Sequence, residues 1–184
     1  MRKLVYAINI SIDGCLDHTK MLPNEESFEF WTQLIRDASL LVYGRITYQL
    51  MVPYWPDVAK NRSMSNPAND FADAFDAVEK IVFSKSLDKV EDKKTRVVRT
   101  DLKDEILRLK QEPGKDMLLG GVDLPSQLIA LSLVDEFLFI VNPVIAGGGR
   151  GLFEAITLPE RIKLKLVDSK VFKSGHVVLR YGKE

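Results

Sequence analysis

Apolar and polar positions along this chain recur with two different periods, and the periods divide it into elements. Residues 2–9 (RKLVYAIN) form an apolar run of strand length, and 10–24 (ISIDGCLDHTKMLPN) a long loop broken at Asp13-Gly14 and Pro23. Phe28, Trp31, Leu34 and Ile35 then recur at helical spacing, which predicts a helix over 25–38 with that face buried. The run 39–43 (SLLVY) is a strand that ends at Gly44. A second helix is expected from Arg45 to Val52, stopped by Pro53 and Pro56. The stretch from Trp55 to Asp70 (WPDVAKNRSMSNPAND) carries no period and is expected to be a mobile loop. A short helix follows it, with Asp70 as cap and Phe71, Phe75 and Val78 on one face.

Farther on, 80–84 (KIVFS) and 96–99 (RVVR) are strands. Asp101 caps a helix on which Leu102, Ile106 and Leu109 share a face, and Pro113-Gly114 ends it. Residues 116–119 are a strand, 123–131 a helix, and 134–141 (VDEFLFIV) a strand that runs into NPVIAGGGRG. The segments 161–171 and 176–182 alternate on either side of Lys173-Ser174-Gly175, the pattern of a β-hairpin. Alternating strands and helices give way to an antiparallel end. The fold class is therefore α/β: one domain over 1–184, with a mostly parallel central sheet, flanking helices and a C-terminal antiparallel hairpin.

Charge narrows the function classes. Lys plus Arg and Asp plus Glu number 26 each, a balance that gives no support for nucleic-acid binding. The start, MRKLVYAINI, reads as a strand and not as a signal peptide, because Asn9, Ser11 and Asp13 interrupt the apolar run. No stretch approaches the roughly 20 apolar residues of a membrane span. A single cysteine excludes an internal disulfide and a cysteine-based zinc site, and two distant histidines argue against a metal. A cytoplasmic protein without metal is expected.

The chemistry gathers at strand ends. Gly120 and Gly121 stand between a strand and a helix, where they serve a tight turn or let a phosphate approach bare backbone and unpaired first-turn N–H groups. The strand before Gly44 leads to Arg45 and Thr47, a guanidinium fork and a hydroxyl at a helix start; surface arginine and helix cap is the plainer reading. A third strand ends in Ser84 and Lys85. If the strands are parallel, all three clusters fall on the edge where open α/β sheets bind ligands. Neither G-x-G-x-x-G after the first strand nor G-x-x-x-x-G-K-[ST] occurs.

Together these motifs resemble the dihydrofolate reductase-like superfamily, and most closely the C-terminal reductase domain of the bifunctional riboflavin-biosynthesis deaminase/reductase. The resemblance is carried by Ser11-Ile12-Asp13-Gly14, Gly44-Arg45-Ile46-Thr47, Ser84-Lys85, Gly120-Gly121, and Pro143 followed by Gly147 to Gly149 and Leu152-Phe153, in family order over nearly the whole chain. It implies an NADPH-binding reductase fold. Arg45 and Thr47 would then hold phosphates, Arg45 the adenosine 2′-phosphate, with Gly44 opening their helix; Ser84 and Lys85 would line the adenosine side. Gly120 and Gly121 would approach the pyrophosphate, and backbone at Ala7 and Leu16 would meet the nicotinamide amide. For the acidic group facing the substrate, Glu26 is the first candidate, against a first-turn glutamate that only favours the helix dipole. Asp13 is the second, against a residue that shapes the turn before Gly14. The implied activity is reduction of a small heterocyclic or ribosylamino substrate, like that of 5-amino-6-(5-phosphoribosylamino)uracil reductase. The alternatives are pterin reduction and a nucleotide-binding protein without turnover. Arg150 and the KNR at 60–62 are the cations left for a sugar phosphate. Relatives of this type imply a homodimer.

Overall fold

Leu4, Val5, Tyr6 and Ala7 are all buried, and neighbours along that strand belong to opposite core layers. A strand covered by helices on both faces requires such a continuous apolar run. The computed structural model of the chain describes every residue except Glu91, Ala155 and Pro159. The strands are β1 (Leu4–Ser11), β2 (Leu40–Gly44), β3 (Glu79–Phe83), β4 (Thr95–Val98), β5 (Met117–Leu119), β6 (Glu136–Asn142), β7 (Leu164–Val171) and β8 (Val177–Lys183). They form one sheet in the order β4-β3-β2-β5-β1-β6-β8-β7. The first six positions are parallel; β8 runs antiparallel to both β6 and β7. The α/β class, the mostly parallel sheet and the terminal hairpin are as the sequence pattern predicts.

The helices are α1 (Glu25–Arg36), α2 (Arg45–Met51), α3 (Tyr54–Asn61), α4 (Asn66–Ala77), α5 (Leu102–Gln111) and α6 (Asp123–Ala130). Asn24 caps α1 by accepting from Ser27 N at 3.0 Å, and Phe28, Trp31, Leu34 and Ile35 face the core as their spacing requires. One core layer joins α1 and α4 to Leu41, Tyr43, Phe75, Val82 and Leu118. The other joins α5 and α6 to Tyr6, Val42, Ile81, Met117 and Leu119.

One expectation is overturned. The aperiodic stretch from Trp55 to Asp70 is mostly helical, with α3 starting at Tyr54 and α4 at Asn66. The prolines that read as stops sit at helix starts: Pro53 is the N-cap of α3, Pro56 lies in its first turn, and Pro67 lies in the first turn of α4. A first-turn N–H has no helical partner, so its loss there costs little. Ser65 stands at the cap position of α4, and Asp70 lies inside the helix. Among the described residues no helix is long and apolar enough to cross a membrane.

Behind the sheet, Glu105 of α5 is 7 % exposed and ion-paired with Arg96 of β4 and Arg108, each at 2.9 Å. Hydrogen bonds from Arg108, then from Arg96, hold its carboxyl at about 2. A depressed carboxyl contributes stability that is present above its unfolded value and lost as pH falls toward the folded one. Glu105→Gln therefore lowers the urea midpoint at about pH 7, and the gap between variant and parent narrows as pH falls from about 4.5 toward 2. A gap unchanged over that window would overturn the assignment.

Candidate functional site

The cleft begins where β5 stops. That strand pairs with β1 only from Leu4↔Met117 to Tyr6↔Leu119, and with β2 only from Leu40↔Met117 to Val42↔Leu119. Both neighbours continue, β1 to Ser11 and β2 to Gly44. Gly120 N still donates to Val42 O at 3.2 Å, and Gly121 then turns the chain at φ +99° into α6. Beyond Leu119 the strands on either side have no partner between them, and a cleft of about 1380 Å³ opens over their carboxyl ends.

Packing explains both glycines. A Cβ on Gly120 would lie 2.7 Å from Cε1 of Tyr43, and one on Gly121 would collide with Oγ1 of Thr47. The positive φ at Gly121 adds a second reason. The protein's own side chains thus demand glycine here, and the same bareness leaves backbone at the cleft.

Ala7, Leu16, Gly44, Arg45, Thr47, Ser84, Lys85, Gly120 and Gly121 all line this one cleft. Arg45 is exposed, and its Nη1 donates to Gln49 Oε1 at 3.0 Å. The hydroxyl of Ser84 accepts from Ser86 N and Leu87 N, so it shapes the turn after β3. Leu16 N donates to Arg150 O at 2.8 Å, which occupies that amide. Arg99, after β4, also lines the cleft, with its Nη2 donating to Leu87 O at 2.6 Å. The sequence pattern takes Arg99 as the last residue of the 96–99 strand, and a cation at a strand's end was signal enough to find it.

Glu26 and Asp13 are not among the lining residues. The Glu26 carboxylate accepts from Ser174 N at 2.9 Å and Lys173 N at 3.2 Å, bracing the β7–β8 turn, and the Ser174 amide above all lowers its pKa. Asp13 accepts from Ser11 Oγ at 2.6 Å, Ala146 N at 2.9 Å and Gly147 N at 2.8 Å. Those three bonds, the Ser11 hydroxyl foremost, bring its carboxyl down to about 2. It ties the first loop to the glycine-rich segment after β6. Arg150 from that segment lines the cleft and pairs with Asp123 in the first turn of α6. Of the 60–62 cations, Arg62 is engaged elsewhere, with Asp73 at 2.7 Å.

His176 and Asn142 carry no sequence signal, because a lone histidine and a lone asparagine have no diagnostic spacing. His176 is 2 % exposed. Its Nε2 lies 2.9 Å from Leu22 O and 3.1 Å from both Asn142 Oδ1 and Asn24 Nδ2. Asn142 Oδ1 also accepts from Leu22 N at 3.0 Å. The pair holds the cleft-lining segment from Leu22 to Asn24 against the end of β6. Phe28, Trp31, Trp55 and Phe71, from α1, α3 and α4, complete the lining with aromatic rings.

Residues 2–178 match the family described as the RibD C-terminal domain. The chain belongs to that family. It is 30 % identical over 188 residues to the uncharacterized protein YyaP of Bacillus subtilis (strain 168), across 98 % of this chain and 94 % of YyaP. Its fold is that of a pyrimidine reductase-like protein from Corynebacterium diphtheriae, with a TM-score of 0.68 at 14 % identity, covering 100 % of this chain and 92 % of that one. It also matches a diaminohydroxyphosphoribosylaminopyrimidine deaminase/5-amino-6-(5-phosphoribosylamino)uracil reductase from Thermotoga maritima, with a TM-score of 0.67 at 16 % identity. There it covers 100 % of this chain and 57 % of the other. The dihydrofolate reductase-like architecture and the kinship to RibD-type reductase domains are thereby shown, and in this RibD-type domain the cleft falls at the carboxyl ends of the parallel strands.

Gly121→Ala should cost roughly 1–3 kcal/mol of stability from the positive φ and the Thr47 collision together, read by urea unfolding. Adding Thr47→Ala should restore only part of that loss, because the backbone term remains. Full restoration would show that φ contributes nothing.

Proposed function

We propose that the cleft binds NADPH and that the protein reduces a small carbonyl or imine compound. The observation that carries this reading is the placement of Arg45, Lys85 and Arg99 just past the ends of β2, β3 and β4, three strands adjacent in the sheet, on one cleft. Three cations on one rim are a donor set suited to a phosphorylated dinucleotide. In this reading Arg45 takes the adenosine 2′-phosphate, Thr47 a phosphate oxygen, and Ser84 and Lys85 the adenosine side. Gly44, Gly120 and Gly121 leave room for the pyrophosphate to approach, Gly120 without its amide, which Val42 O takes, and Ala7 and Leu16 face the nicotinamide end, Leu16 through groups other than its occupied amide. The bound cofactor would supply a hydride. The chain's own part is to orient the acceptor carbon and to exclude water around it. With the Glu26 and Asp13 carboxylates committed to backbone amides, neither gives the proton that completes the reduction, which is drawn ultimately from solvent.

That same commitment favours a second reading, a binder of the dinucleotide without turnover. The two readings part on whether any carbonyl or imine compound causes oxidation of bound NADPH. In either case we read the protein as a cytoplasmic homodimer. Leu166, Val167 and Val171 stand 50 %, 60 % and 73 % exposed on β7, the outermost strand, and suit a second copy.

Calorimetric titration with NADPH and NADH tests the site. Arg45→Ala should weaken NADPH about tenfold, or about 1.4 kcal/mol, and leave NADH nearly unchanged. Equal losses for both, or none, would remove the arginine from the extra phosphate. Absence of binding by either nucleotide would end the proposal.

A further inference from the structure

The cleft is divided by charge. Its side-chain cations Arg45, Lys85 and Arg99 follow strands, and Arg150 is neutralised by Asp123. The wall built by α1, α3 and α4 presents Phe28, Trp31, Trp55 and Phe71, and none of the cationic or acidic residues of those helices lines it. Arg62, just past α3, is turned to Asp73 and Asp70. Glu26 of α1 is turned to the β7–β8 turn. The polar residues nearest this wall, Asn24 and Ser27, are bonded to each other at 2.5 Å. His18 also lines the cleft, but its side chain is 64 % exposed beside Asp17.

The rings are set for a flat guest. Trp55 and Phe71 meet edge to face with centroids 4.6 Å apart, and Phe28 lies 6.0 Å from Trp55 and 5.8 Å from Phe71. Phe71 also stacks on Phe75, so the half-buried rings of Phe28, Trp31 and Trp55 are the surface offered to a further ring. A phosphate driven against such a wall would lose its hydration with no cation to replace it. One polar demand remains. Trp31 Nε1 is the buried side-chain N or O atom without a hydrogen-bond partner among the described residues. It is a donor only, and where it lies no acceptor reaches it.

We infer that the aromatic wall selects a neutral, flat aromatic carbonyl compound over a phosphorylated sugar. This names the substrate class of the reductase reading and rests on it. In the reaction the carbonyl carbon gains a hydride drawn from NADPH and its oxygen gains a proton from water, giving the alcohol and NADP⁺.

The test is calorimetry on the full chain with chromone, a neutral bicyclic carbonyl compound, and with ribose 5-phosphate, each with and without NADPH. Chromone should bind at least tenfold more tightly than ribose 5-phosphate, with little change on adding salt, since no ion pair is involved. Trp55→Ala should weaken chromone about tenfold and leave NADPH affinity unchanged. Trp55→Phe should keep most of the chromone affinity, and far-ultraviolet circular dichroism confirms that both variants are folded. Ribose 5-phosphate binding as tightly as chromone, or chromone affinity indifferent to Trp55→Ala in a folded variant, overturns the inference. Failure of NADPH to bind while chromone is preferred sinks the reductase reading alone.

Discussion

The ring of Tyr43 occupies the volume that any side chain at residue 120 would need. That contact sits where β5 ends, and the cleft depends on it. Tyr43 is buried on β2 against Phe75, which is wholly buried on α4. Its ring cannot retreat without disturbing the core layer beneath. Residue 120 therefore stays bare, the chain turns away at Gly121, and β1 and β2 run on without a strand between them. A longer β5 would fill the gap with ladder hydrogen bonds and close the site. The opening is thus a consequence of core packing, and rigid for that reason.

The two sides of the cleft are built by different parts of the chain. Residues just past parallel strands bring backbone and cations, because a strand end delivers its next side chains to the rim whatever they are. Helices that cover the sheet bring apolar surface, because their inward faces are already core. Phe71 illustrates the second case: it packs in the main core layer and also lines the cleft. The cavity's aromatic wall is the outer skin of the core. Polarity differs across the cleft as a result of where each element must bury itself, and a ligand with one charged and one flat neutral end matches that division.

How much of this was legible in the sequence varies by element. Central strands showed as unbroken apolar runs, and α1 showed through Phe28, Trp31, Leu34 and Ile35, because burial imposes a period. The residues past the strand ends were legible once the strands were taken as parallel, and all nine named as nucleotide-side candidates line one cleft. Helix α3 was hidden, since Pro53 and Pro56 carry the same letter whether they stop a helix or begin one. The position of the carboxylates was hidden for another reason. Glu26 and Asp13 lie in the right stretch of chain, but which way they turn depends on backbone amides near residues 146 and 174, far away in sequence. Local pattern holds no information about such distant partners.

Those distant bonds give the two carboxylates a common physical role. Asp13 fastens the first loop to the segment after β6, Glu26 fastens α1 to the β7–β8 turn, and His176 with Asn142 fastens the chain at Leu22 between them. All three join N-terminal residues at the cleft's rim to the last third of the chain. Loops there expose too little apolar surface to be held by burial, so directional bonds to backbone do the holding. The sheet side of the cleft is set by packing and the loop side by ionised carboxylates and a histidine. Protonating Asp13 and Glu26 would therefore act on the loop side, while Tyr43 and the glycines keep the floor open.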